Sequence, residues 1–175
     1  PNLLAQNFEA QQPDQTGLAD MTYIPTAQGW LYLAVVLDLY SRRIVGWAMS
    51  STRDEALVEA ALSMALRRRN IAPGTDLIHH TDRGSQYTAD AYLALLKQHG
   101  ILVSMSGKGD PYDNAMIESF FSTLRAELTD LERFPTRQAA RTSVFEFIEV
   151  FYNRQRLHSS LGYHSPADFE VALLS

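Results

Sequence analysis

Three acidic residues have the types and settings that metal chemistry on a phosphodiester requires. Asp20 lies inside an apolar, strand-like segment, Asp82 follows the run His79-His80-Thr81, and Glu118 stands one turn inside a helical segment. Carboxylates at strand ends and at a helix start can converge on one edge of a sheet. An oxygen-only set, with no His–Cys pattern beside it, favours Mg²⁺ or Mn²⁺ over zinc. Two such ions about 3.5–4 Å apart can activate a nucleophile and stabilise the leaving oxygen of a phosphodiester. Spacing alone proves little. Asp82 and Glu118 have 35 residues between them, yet with 20 acids in a chain of 175 roughly two pairs fall at any chosen separation by chance.

The elements that must position these residues are legible from periodicity. Residues 1–17 are polar and Gln-rich and read as a linker or arm. Leu18–Thr26, Trp30–Tyr40 and Arg43–Met49 are strand-like, and their short connections predict an antiparallel meander. Asp54–Arg69 places Leu57, Ala60, Ala61, Met64 and Ala65 on one helical face, with Thr52 as the expected cap and Asn70–Gly74 as its end. A strand over Asp76–His80, a helix over Thr88–His99 closed by Gly100, and a strand over Ile101–Met105 follow. Ser106–Tyr112 reads as a loop, Asn114–Leu131 and Thr136–Leu157 as helices, and Ser165-Pro166 as the start of a short last helix. This order, β-β-β-α-β-α-β-α-α, predicts an α/β fold with a mixed five-stranded sheet flanked by helices.

Composition bounds the rest. The length is that of one domain, and 46% apolar with 20% charged residues is an ordinary globular balance. With no cysteine, disulfides, thiolate zinc sites and cysteine nucleophiles are excluded. The net charge of −5 argues against a grip on nucleic acid through bulk positive charge, though not against local nucleic-acid chemistry with carboxylates neutralised by divalent cations. The longest apolar run, Trp30–Leu37, is far short of a membrane span, and no basic-then-apolar leader opens the chain. The expectation is a cytoplasmic protein with no membrane partner. A start at Pro1 rather than Met further suggests a fragment.

Longer motifs supply what spacing lacks. Asp20-Met21-Thr22-Tyr23-Ile24, Leu31–Arg42, His80-Thr81-Asp82-Arg83-Gly84-Ser85-Gln86-Tyr87 and Tyr112–Phe121 closely resemble the catalytic core of IS3-family transposases, part of the retroviral integrase superfamily. Tyr152-Asn153-Arg154, Arg156, His158-Ser159, Leu161-Gly162-Tyr163 and Ser165-Pro166 are similar to the family's C-terminal signature. The resemblance runs from about residue 7 onward. It implies an RNase H-like core over 18–132 and a C-terminal helical extension over 133–175, with 1–17 leading from an absent N-terminal DNA-binding region. It also implies a catalytic and metal-binding triad of Asp20, Asp82 and Glu118, two Mg²⁺ or Mn²⁺ ions, DNA as partner and a homo-oligomer assembled on DNA ends. The implied chemistry is nicking at mobile-element ends followed by attack of the freed 3′-hydroxyl on another phosphodiester, with no covalent protein–DNA intermediate. The alternatives are an RNase H-like nuclease that only hydrolyses, or a non-catalytic oligomerisation or DNA-docking fragment. One departure is Gly17, where the family usually carries a tryptophan shortly before the first aspartate.

Around the triad, Glu118, Ser122 and Arg125 share a helix face, and the resemblance implies a phosphate contact at Arg125, in preference to an ion pair with Glu118 or Glu127. Arg83, Gln86 and Tyr87 are candidates to meet phosphate or a base. Lys108, beside Gly109, is either part of a loop that closes on DNA or plain surface, and Asn114 is a cap that can also touch substrate. Asp110 and Asp113 read as turn and cap residues, and Asp38 as a hydrogen-bond partner of the Ser41-Arg42 turn. His79 and His80 point to opposite faces, which argues against zinc. Arg67-Arg68-Arg69 suits a helix C-terminus better than a DNA patch, and Arg154, Arg156 and His158 form a basic tail for DNA or a second subunit.

Overall fold

Alternation along the first strand decides what each face of the sheet can carry. In the computed structural model, which describes residues 1–2, 10–71, 73, 76–106 and 115–172, β1 (Thr16–Thr26), β2 (Gly29–Asp38) and β3 (Ile44–Ser50) form the expected antiparallel meander. The strands β4 (Ile78–Thr81) and β5 (Leu102–Met105) add on in parallel, giving the order β3-β2-β1-β4-β5. Side chains of a strand alternate between faces. Leu18 and Ile24 of β1 accordingly pack with Leu33, Val35 and Leu37 on one side, and Ala19 and Met21 with Ala34 and Val36 on the other.

Helices cover both sides. On the second face lie α1 (Glu55–Arg68) and α2 (Asp90–Gln98), burying Leu57, Val58, Leu62, Tyr92 and Leu96. The cap of α1 is Asp54, whose Oδ1 accepts from the Leu57 N–H at 3.1 Å, not Thr52. Thr52 is spent on Asp54 itself, donating to its Oδ2 at 3.0 Å. At the end of α2, Gly100 takes a φ of 67°, and the N–H groups of Gly100 and Ile101 return to Lys97 and Leu96, the Schellman pattern that glycine permits. The close seating of α1 on β3 requires Gly46, where a Cβ would overlap the Ala61 carbonyl oxygen.

The first face carries α3 (Ala115–Leu124) and α4 (Arg137–Glu146), each widening at its end into π-helical turns, Arg125–Thr129 and Phe147–Tyr152. Ile117, Phe120, Phe121 and Leu124 of α3 and Ala140, Val144, Phe147, Ile148 and Tyr152 share one core with β1 and β2. The residues after 133 thus complete the core rather than decorate it. A last helix, α5 (Pro166–Ala172), starts where expected, with Ser165 Oγ accepting from the Asp168 N–H at 3.2 Å. The arm is not loose at its end: β1 begins at Thr16, the Gln15 carbonyl accepts from Ile78, and the Asp14 N–H donates to Asp38 Oδ1 at 2.8 Å. Among the described residues, no helix is long and apolar enough to cross a membrane.

Candidate active site

Parallel pairing of β1 with β4 brings the two aspartates level. Leu18 is in register with His80, so Asp20 and Asp82 each lie two residues further along neighbouring strands. Asp20 shares its face of β1 with Leu18 and Ile24, the face that α3 covers. Helix α3 turns Ile117, Phe120, Phe121 and Leu124 inward and leaves Glu118 exposed at its first turn. Three elements far apart in the chain therefore deliver three carboxylates to one place.

Asp20 lies within the field of the other two carboxylates. Burial pushes the Asp20 carboxyl up to about 7; the Met21 N–H, donating to Oδ1 at 2.8 Å, opposes that rise, and the charges of Asp82 and Glu118 add to it. A hydrogen bond between the Asp20 and Glu118 side chains works in the same direction. Asp82 is held by its own loop, Oδ1 accepting from the Gly84 N–H at 2.7 Å. A Cβ at Gly84 would stand 2.9 Å from that oxygen, so glycine is what lets the loop fold back on the carboxylate. Among the described residues no three His, Cys, Asp or Glu side chains are already gathered to metal-ligand spacing. The donors nonetheless fit a hard divalent cation: they are oxygens only, and a half-buried carboxyl raised by two like charges is what a bound cation would relieve.

The surrounding residues sort unevenly. Arg125 and Ser122 are exposed on the Glu118 side of α3 and 3.4 Å apart, and Glu127 is engaged by Arg156 at 2.7 Å rather than by Arg125. Arg83 is exposed, with Nε donating to the Ser106 carbonyl at 3.0 Å, and Gln86 is half-buried. Tyr87 corrects the sequence reading: it is 1% exposed, packs edge-on against Tyr92 and cannot reach a strand lying on the surface. Its hydroxyl is buried without a partner. Tyr87 was singled out because it follows Asp82 in the chain, which could not show the loop turning it inward. Lys108, Gly109, Asp110, Asp113 and Asn114 lie outside the described residues.

His79 and His80 are each held by buried hydroxyls. His79 Nε2 is 2.5 Å from the Tyr92 hydroxyl, and burial, then His80, lowers its pKa to about 3. His80 lies 2.8 Å from both Ser104 Oγ and Ser106 Oγ. Asp38 accepts from the N–H and hydroxyl of Ser41 at 2.9 and 3.0 Å, as expected for a turn residue. Sequence reasoning placed Asn153 in the C-terminal signature without a role; its amide exchanges hydrogen bonds with the N–H and carbonyl of Ile44 at 2.9 and 3.0 Å. A buried Asn in a run of aromatics was the available signal.

A mixed sheet in the order β3-β2-β1-β4-β5 with carboxylates on the central parallel pair is the RNase H-like arrangement of integrase cores. The chain covers 93% of its length in a match to the magnesium-bound catalytic core domain of HTLV-2 integrase, at a TM-score of 0.66, 14% identity and 99% coverage of that chain. A chain of the simian T-cell lymphotropic virus intasome in complex with the PP2A regulatory subunit B56 gamma matches at 0.73, with 13% identity over 93% of this chain and 56% of that one. At these identities the likeness is one of fold. Family models described as integrase core domain match residues 10–111 and 99–166, and the chain belongs to the integrase core domain family. It is 51% identical over 97% of its length to the transposase for insertion sequence element IS904 of Lactococcus lactis, covering 66% of that protein. It is 49% identical, again over 97%, to transposase InsF of insertion sequence IS3A of Escherichia coli, covering 58%. The chain thus spans roughly three fifths of the length of these relatives.

Proposed function

We propose that this chain is the catalytic core of an insertion-sequence transposase, carrying out metal-dependent DNA strand cleavage and strand transfer at mobile-element ends. The observation that carries the reading is the mutual field of Asp20, Asp82 and Glu118, delivered by β1, the end of β4 and α3. The names of the relatives, transposases of insertion elements, supply the substrate class. Asp20, Asp82 and Glu118 would hold the divalent ions, Mg²⁺ or Mn²⁺. When bound, such ions lower the pKa of a nucleophilic oxygen and neutralise charge on the leaving one. The residues do the rest. Gly84 fixes Asp82 through its N–H, Met21 fixes Asp20, and the core face of α3 fixes the height of Glu118 on the sheet. Arg125 and Ser122, on the exposed face beside Glu118, and Arg83, beside Asp82, are placed to meet phosphates flanking the reacting one. With DNA as substrate, no protein nucleophile is needed, the work belongs in the bacterial cytoplasm, and joining two ends calls for a homo-oligomer on DNA.

The test is a labelled DNA substrate incubated with Mg²⁺ or Mn²⁺, comparing wild type with Asp82→Asn. Metal-dependent nicks and joined strands in wild type, both reduced at least about a hundredfold in the variant, are expected, since the variant loses one ligand charge. Nicks without joined strands reduce the reading to hydrolysis. Equal activity of the two proteins overturns it.

A further inference from the structure

Among the described residues, the half-buried guanidinium of Arg42 has no carboxylate against it. Arg42, in the β2–β3 turn, has a left-handed φ of 64°, a backbone conformation that costs a residue with a Cβ. Burial lowers its pKa, and its Nη1 donates to the Met116 thioether of α3. An unpaired, partly buried cation is expensive, and a strained backbone that holds one there calls for an anion from outside.

Arg42 lines a groove of about 410 Å³ between α3 and the segment that follows Tyr152. Ser119 and Thr123 of α3 form one wall, and Arg156 and His158 the other. His158 Nε2 is buried with no hydrogen-bond partner. Burial first, then Arg156 and Arg42, lower the His158 pKa to about 4, so the neutral ring sits in a positive field. Met116, Ser119 and Thr123 fall at i, i+3 and i+7, a stripe of α3 next to that of Glu118, Ser122 and Arg125. The groove therefore adjoins the carboxylate site on the same helix.

We propose that this groove seats a backbone phosphate of the DNA strand whose reacting phosphodiester lies at Asp20, Asp82 and Glu118, with Arg42 as its principal ligand. The identity of that strand rests on the function proposed above. A guanidinium presents paired N–H donors that match two phosphate oxygens, and the hydroxyls of Ser119 and Thr123 close the rim. A local site of this kind reconciles a DNA partner with a chain of net charge −5. It also gives the C-terminal Arg156–His158 segment a role that its sequence left open between DNA and a second subunit.

The experiment is fluorescence anisotropy of a labelled duplex of generic sequence, titrated with the chain in EDTA at several KCl concentrations. Arg42→Gln should weaken binding roughly three- to tenfold and lower the slope of log K against log salt by about 1. Arg42→Lys, which keeps the charge, should retain the slope. Ser119→Glu, at an exposed position, puts a negative charge on the rim without touching the core and should weaken binding as well. Unchanged affinity and slope in both Arg42→Gln and Ser119→Glu, with circular dichroism intact, overturns the proposal. Thermal stabilisation by inorganic phosphate that needs Arg42, together with unaltered DNA binding, also overturns it and marks a free-anion pocket. No metal or cleavage enters these readings, so a failure of the catalytic proposal, seen as cleavage by Asp82→Asn, leaves its own separate signature.

Discussion

Burial, opposed by the Met21 N–H and reinforced by the charges of Asp82 and Glu118, keeps a proton on Asp20 up to about pH 7. The folded chain then binds more protons than the unfolded one between the ordinary aspartate pKa of 3.8 and about 7. Stability contributed at Asp20 therefore falls as pH rises through that window and stays low above it. Asp20→Asn removes the penalty. In EDTA the variant should melt higher than wild type at pH 8, by at most a few kcal/mol at about 1.4 kcal/mol per pH unit of displacement, and the gap should shrink toward pH 4. Adding Mg²⁺ should stabilise wild type and not the variant. A variant that melts lower than wild type at pH 8 in EDTA would show that the carboxyls do not strain one another. At this scale the sequence was informative about residue types and silent about direction. Asp20 and Asp82 were legible because strand register and motif agree, whereas Tyr87, in the same motif, is turned into the α2 face by a loop whose path no periodicity encodes.

Edge strand β3 is completed from outside the sheet. The Asn153 side chain accepts from the Ile44 N–H and donates to its carbonyl, and its own carbonyl accepts from the Ala167 N–H at 2.7 Å. One buried amide thus joins β3, the π-helical end of α4 and the start of α5. Asn153→Ala would leave two buried backbone groups of Ile44 unpaired, each costing about 1–3 kcal/mol. The expected loss, on the order of 2–4 kcal/mol in urea unfolding with the m-value unchanged, exceeds that of an ordinary surface substitution. A loss below about 0.5 kcal/mol would mean that water satisfies those groups. Elements were the most legible level. All five strands, α1, α2 and the starts of α3, α4 and α5 follow from apolar periodicity and from turn residues such as Gly100, with shifts of a residue or two, whereas the expected helix ends at Leu131 and Leu157 lie well beyond Leu124 and Glu146, where α3 and α4 stop. The π-helical turns at Arg125–Thr129 and Phe147–Tyr152 were not legible, because they are rare single-turn features inside helices that apolar periodicity does not announce.

Asp14 of the arm and Glu170 of α5 meet beside the β2–β3 turn. Glu170 of α5 accepts from Arg43 at 3.0 Å, from Arg69 at 2.8 and 2.5 Å, and lies 2.7 Å from Ser41 Oγ, while Arg69 also donates to Asp14 of the arm at 2.6 Å. Sequence alone assigned Arg69 to the dipole of α1, which it does cap, but its partners lie 55 and 101 positions away and no local pattern announces them. Burial would raise the Glu170 pKa, yet the hydrogen bonds from Arg69 and Ser41 and the Arg69 charge hold it below the ordinary value of 4.5. A depressed carboxylate contributes stability that is present above its unfolded pKa and is lost as pH falls through the folded one. Glu170→Gln should then cost about 1–3 kcal/mol at pH 7, because it leaves Arg69 and Arg43 short of a counter-charge in a half-buried network. The difference from wild type should narrow as pH falls below the ordinary value of 4.5, because the depressed carboxylate loses its contribution on the way down. Paired thermal melts at pH 7 and pH 3.5 decide the matter: a cost independent of pH would assign Glu170 to packing alone, whereas a narrowing gap shows that the charged clasp between arm, α1 and α5 fixes the sheet edge opposite β5.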